Sequence, residues 1–223
     1  MSSFDTEMYR KIALYYQELG EKKLLKKSLK NININKKVFL HYSKYRNIPI
    51  CTLPQFKLVL ASRLGFLSFC YNFFSFVNVD KTIVSINSNS INLIAKFVLS
   101  HEIGHILDPD ISKSKEEYAT ILSDIVDKII EYDIDINKVN FHKSNLPYDL
   151  EECVIRLKKN LINRESKAWD IARDFLNIKD DKEKLIFNKM KEYALATYNF
   201  GNLKNIVREH NIDIFFKYKR YFK

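Results

Sequence analysis

The chain has 223 residues, 46% of them apolar, and a formal net charge of +10. That length and apolar content exclude a disordered chain and suffice for one domain with its own core. Its three cysteines, Cys51, Cys70 and Cys153, are odd in number and widely spaced, which predicts reduced thiols rather than a disulfide framework. Residues 1–10 hold no apolar run of the kind a signal peptide needs, so a cytoplasmic setting is expected.

Residues 6–30 read as a helix, with Thr6 as N-cap and Ile12, Tyr15, Tyr16 and Leu19 on one face. Residues 31–35 break it, and the short apolar stretch 38–45 leaves its type open. Thr52 and Pro54 predict a helix over 52–64, with proline at the first helical position. The Phe-rich stretch 64–79 contains Asn72 and falls short of the roughly 20 apolar residues of a membrane span. One or two buried strands over 66–77 are expected instead, and no membrane partner.

Alternation of Thr82, Val84 and Ile86 with Ile83, Ser85 and Asn87 predicts a strand over 81–87. That strand is either an edge for an extended substrate or an ordinary hairpin strand. The run 92–100 is apolar almost all round and so belongs to a buried helix, with Ser88, Asn89 or Ser90 as N-cap. Pro109 should stop that helix at Asp108. Amphipathic patterns place further helices at 112–132, 149–176, 182–199 and 202–209, with 132–147 loop-like. The pattern predicts an α+β fold, mostly helical, with a small mixed or antiparallel sheet. Nothing marks a linker, so a single domain over 1–223 is expected, with 1–50 as a candidate helical N-terminal extension.

Residues 101–105 read His-Glu-Ile-Gly-His. Two histidines four apart on a helix share one face, so both imidazoles can reach one metal ion. Glu102 then sits beside that ion, where it can hold a water. This is the minimal equipment for metal-assisted hydrolysis, with Zn²⁺ the first candidate and manganese or iron able to use the same ligands. The alternative is two core histidines satisfied by hydrogen bonds. It would need many polar partners on an apolar helix.

A catalytic zinc site usually has three protein ligands. On helix 149–176 the apolar stripe runs Leu150, Cys153, Leu157, Leu161, then Ala168, Ala172 and Phe175. Glu165 falls where that stripe should carry a core residue. A carboxylate facing a core is expensive unless it is paired or bound to a metal. Ala168, Ala172 and Gly104 would let the two helices approach closely. Rival third ligands are Asp108, Glu116, Glu117, His142 and Glu152.

The His-Glu-Ile-Gly-His run, followed downstream by Glu165-Ser166-Lys167-Ala168-Trp169-Asp170-Ile171-Ala172, resembles the glutamate-type zincins. It is most similar to the ImmA/IrrE-like metallopeptidases of bacteria and phages. Those carry the same histidine helix and a later Glu-x-x-Ala-x-x-apolar-Ala helix whose glutamate is the third zinc ligand. The resemblance covers about 85–108 and 160–176. It implies a zincin-like domain in which His101, His105 and Glu165 hold one catalytic Zn²⁺ and Glu102 is the general base. Two departures stand out: sixty residues separate His105 from Glu165, and Trp169 stands where glutamate zincins often carry an acidic residue.

The resulting expectation is a zinc-dependent endopeptidase that acts on a protein or peptide substrate. Tyr148, His142, Tyr193, Tyr198 and His210 are all open as oxyanion donors. The alternative is a basic nucleic-acid-binding or regulatory module whose metal site is structural. It draws on Lys22, Lys23, Lys26, Lys27 and Lys30 and on the lysine- and aromatic-rich tail 215–223.

Overall fold

The computed structural model describes residues 5–79, 84–135 and 145–199. In chain order its elements are α1 (Thr6–Glu18), α2 (Lys22–Lys30), β1 (Phe39–Ser43), β2 (Cys51–Leu53), a 3₁₀ turn (Pro54–Phe56), β3 (Leu58–Ser62), α3 (Arg63–Val79), α4 (Ser88–Leu107), α5 (Ile111–Glu131), α6 (Tyr148–Phe175) and α7 (Asp181–Asn199). Helices dominate beside one small mixed sheet, so the class is α+β. Packing divides the chain into two units: Met1–Pro109 with Glu165–Ala194, and Asp110–Arg164 with Leu195–Lys223.

In the first unit the predicted helix over 6–30 is two helices. Gly20, at φ +78°, ends α1 in a left-handed cap. Its N–H bonds to Gln17 O at 2.9 Å and the Glu21 N–H bonds to Tyr16 O at 3.1 Å, the paired bonds of a Schellman motif. The α1 N-cap is Asp5 rather than Thr6, its carboxylate accepting from Met8 N. Ile12, Tyr16, Leu24 and Leu25 carry both helices into the core of this unit.

The helix expected over 52–64 is instead a strand, a turn and a strand. Pro54 does start a helical turn, but it closes after three residues, with Lys57 N–H donating to Pro54 O at 3.0 Å and Lys57 left-handed at φ +48°. Beyond it Leu58–Ser62 pairs on both sides, parallel to β1 and antiparallel to β2, giving the order β1-β3-β2. Hairpin pairing with β2 and parallel pairing with the more remote β1 outweigh a local helix signal. Ser62 then starts α3: its hydroxyl accepts from Gly65 N–H and donates to Ile48 O, so strand, helix and the loop before β2 are joined at one atom.

Residues 66–77, expected as strands, lie within α3. The buried positions Phe66, Leu67, Cys70, Phe73, Phe74 and Val77 recur at helical spacing. Each fully buried phenylalanine there contributes roughly 1.5–3 kcal/mol. The strand expected over 81–87 is not present at 84–87, and 81–83 lie outside the described residues. The helix at 202–209 and the tail lie outside them too. Among the described residues, no helix is long and apolar enough to cross a membrane, and all three cysteines are free thiols.

Helix α4 is the centre of this unit. Asn87 caps it, its side chain accepting from Ser90 N–H at 2.9 Å. Fifteen of its twenty residues are buried, as an all-round apolar pattern demands. The sheet lies beside it: α4 packs on β2, on the 3₁₀ turn and on β3. The helix stops at Leu107 because Pro109 holds Asp108 extended, at ψ 114°.

In the second unit, Ile121, Ile125 and Ile129 of α5 pack with Leu150, Cys153, Val154, Leu157 and Leu161 of α6. Lys128 pairs with Asp149 and Glu131, and Asn160 Nδ2 donates to Glu117.

Candidate metal centre

His101 and His105 sit in the last two turns of α4, one turn apart, with ring centroids 4.6 Å from each other. Glu165 reaches them from α6. Its Oε2 lies 3.0 Å from His101 Nε2 and its Oε1 lies 3.4 Å from His105 Nε2. All three side chains are buried, and one ligand atom from each lies within 4.8 Å of the others. No further group of three metal-competent side chains occurs among the described residues.

The close approach has a backbone cause. At Gly104, a Cβ would run into the carbonyl of Ala168. Only glycine opposite alanine lets the two main chains meet there. One turn along, Lys167 Nζ pairs with Asp108 Oδ1 at 2.8 Å, fastening the end of α4 to α6. Asp108, a rival ligand by sequence, is thus engaged by a lysine. Trp169, where an acidic residue was the family expectation, stacks on the His101 ring at 4.5 Å between centroids and 20° between planes. His101 Nδ1 is buried and has no hydrogen-bond partner among the described residues, so that ring is held by the Glu165 carboxylate at Nε2 and by the stacked indole.

The charges respond to this burial. Burial alone would raise the Glu165 carboxyl, but hydrogen bonds from His101 and His105 outweigh it and hold Glu165 well below the usual carboxylate range. Glu102, buried on α4, moves the other way. Loss of water pushes its carboxyl above the ordinary value, the two imidazoles pull it back in part, and Glu165 adds to the rise. One site therefore holds a firmly ionised carboxylate and a carboxyl poised to take a proton.

Two imidazole nitrogens and a carboxylate form a donor set that suits a first-row cation. Donors bound tetrahedrally at 2.0–2.1 Å lie about 3.3 Å apart, and the two nitrogen–oxygen separations here, 3.0 and 3.4 Å, bracket that edge. The group can hold a metal ion.

Of the rivals, Glu117 accepts from Asn160 and Glu152 from the Tyr148 hydroxyl, and His142 lies outside the described residues. Two neighbours were not legible in the sequence. Cys51, at the start of edge strand β2, has a thiol raised by burial and by the Glu102 charge, which puts it near that carboxyl. The second is β2 itself, a strand that packs beside α4. Compared with known protein families, curated proteins and solved structures, the chain matches none.

Proposed function

We propose that the chain is a zinc-dependent endopeptidase of the glutamate-zincin type, hydrolysing peptide bonds of a protein substrate. The observation that carries this reading is the buried convergence of His101, His105 and Glu165, with Glu102 buried on the same helix turn and its carboxyl raised by lost hydration. Two neutral imidazoles and one carboxylate would hold Zn²⁺ with a coordination position left over, the arrangement of catalytic rather than structural zinc sites. The resemblance of 101–105 and 165–172 to the ImmA/IrrE-like metallopeptidases supports the same assignment.

When bound, zinc supplies Lewis acidity, lowering the pKa of a water toward about 7 and polarising a carbonyl. Glu102 handles the proton. A carboxylate oxygen of Glu102 accepts it from the attacking water and returns it to the departing amine nitrogen as the C–N bond breaks. A carboxyl raised above its ordinary value is the stronger base for the first half of that exchange and remains an acid for the second. Glu165 stays ionised and would hold the metal together with both imidazoles. Trp169 and the apolar face of α4 exclude water from behind the rings. The edge strand β2, three residues long and paired on one side only, offers free backbone groups beside α4 for an extended peptide.

The test compares the zinc-loaded chain with Glu102→Gln. Each is incubated with a mixed peptide library, new termini are read by mass spectrometry, and bound zinc is measured in parallel. The wild-type chain should cut peptides, and Glu102→Gln should keep one zinc per chain while losing at least about 100-fold in cutting. Equal zinc with no cutting by the wild type rejects the peptidase reading. Equal cutting by both removes Glu102 from the chemistry.

A further inference from the structure

A second site lies elsewhere in the first unit. Between α2 and the start of β1 there is a cleft of about 750 Å³, lined by Lys23, Lys26, Lys27, Lys30, Lys36 and Lys37. No acidic residue lines it among the described residues. None of the six lysines forms an ion pair among the described residues, and all six are exposed. Six unopposed ammonium groups around one cavity repel one another, an arrangement a fold does not need for its own stability.

The placement of these lysines is regular. On α2 the positions Leu24, Leu25 and Ser28 are buried, which turns Lys23, Lys26, Lys27 and Lys30 outward as rows one helical turn apart. Lys36 and Lys37 close the opposite wall from the segment leading into β1. The floor is apolar: Ile32 is buried, and Ile34, Val38 and Leu40 are half-buried. One aromatic ring opens into the cleft. Phe39 is 51% exposed, and Lys37 Nζ lies 5.1 Å from its centroid.

We propose that this cleft binds single-stranded nucleic acid. Phosphodiesters supply the dense, regular negative charge that rows of lysine match, and a half-exposed phenylalanine gives any base a face on which to stack. Along its axis α2 advances about 5.4 Å per turn of lysines, more than the roughly 3.4 Å by which a stacked strand advances per phosphate along its own axis. The lysine rows therefore fit a drawn-out strand whose bases are free to turn toward Phe39. A duplex is too broad for a cavity in the size range of small-molecule sites. A membrane surface is disfavoured because most of the apolar residues form the floor beneath the charges, where they cannot reach lipid. An acidic peptide shares the sign of the charge but not its regular spacing, and it gains nothing from base stacking.

The experiment uses the full chain and a fluorescein-labelled oligothymidylate, with binding read by anisotropy between about 50 and 200 mM salt. The wild-type chain should bind, with an affinity that falls linearly in the logarithm of salt. The triple variant Lys26→Gln, Lys27→Gln, Lys30→Gln should bind at least about tenfold more weakly at low salt. Its salt slope should be shallower by up to about 2, at roughly 0.7 for each phosphate no longer neutralised. Phe39→Ala should weaken binding about fivefold or more without changing the slope, which separates stacking from charge. Glu102→Gln should bind as the wild type does, so this outcome stands apart from that of the peptidase test. Circular dichroism of the variants checks that these exposed substitutions leave the fold intact. The proposal is overturned by no binding at low salt, or by a folded triple variant with wild-type affinity and slope. It is equally overturned if oligoglutamate of matched charge displaces the strand as well as unlabelled oligothymidylate does.

Discussion

The Trp169 indole stacks on the His101 imidazole, the ring centroids 4.5 Å apart. Because Trp169 is the chain's single tryptophan, its fluorescence reports on one ring of the candidate metal centre. Adding Zn²⁺ to the metal-free protein should change the intensity or position of that emission in proportion to occupancy, saturating at one ion per chain. An emission spectrum indifferent to zinc, while zinc binds, would contradict the stacked geometry. Trp169→Ala should destabilise the fold by about 3–5 kcal/mol, the usual cost of emptying a buried tryptophan site. Trp169→Phe should lose much less, as urea unfolding would show.

Removing the proposed third ligand has a sharper expected result. Glu165→Ala leaves two imidazoles, and loss of even an outer partner lowers metal affinity by about 10–100-fold. The variant should lose more than about 100-fold in zinc affinity by competition with a chelating dye. Glu116→Ala, an exposed site on α5, should leave affinity unchanged. Full zinc binding in Glu165→Ala would remove Glu165 from the centre.

At Gly104 the prediction concerns a single methyl group. Gly104→Ala would place that methyl against the Ala168 carbonyl, so α4 and α6 must part locally. Overpacking of this kind costs typically 1–3 kcal/mol, and more against backbone than against a movable side chain. Thermal unfolding should fall accordingly, and zinc affinity with it, although no ligand has been changed.

The two carboxylates should pull metal-free stability in opposite directions as pH changes. Glu165 is held below the ordinary value of 4.5. Its contribution is therefore present above that pH and is lost as pH falls through its folded value. Glu102 is raised above 4.5. Its contribution is complete below 4.5 and is lost as pH rises through its folded value. In urea titrations with a chelator, Glu165→Gln should destabilise the protein at neutral pH and converge on the wild type in acid. Glu102→Gln should stabilise it at neutral pH, because a neutral amide replaces a buried charge. The reverse order of the two variants would refute this assignment of charge.

What could be read from the sequence followed the range of the forces involved. The pair at 101 and 105 depends only on helix geometry, and Glu165 stands out as a charge in an apolar stripe, so both are legible locally. The stop at Pro109 is equally local. The parallel pairing of β3 with β1 is not, and neither is the fate of Pro54, whose helical turn is cut short where β3 begins. Within 66–77 the abundance of phenylalanine suggests strands, while the spacing of 66, 70, 73, 74 and 77 carries the helical period. Gly20 interrupts a stretch whose apolar periodicity runs on past it, and a left-handed glycine is among the commonest ways for a helix to end. The lysine cleft needs both walls in place before it can be seen, since α2 and the approach to β1 face each other only after folding.

The crossing at Gly104 leaves no space for a further carbon, so the spacing of the two backbones there has a hard lower stop. With the helices already in contact at that stop, an ion seated between His101, His105 and Glu165 would have to fit the spacing that contact sets. Cations whose bonds to oxygen are long, such as Ca²⁺ at about 2.3–2.6 Å, would have to wedge the helices apart and forfeit packing, whereas short-bonded ions seat without that work. On the zincin reading, discrimination between metals would in this way begin in the main chain itself, before any choice of ligand.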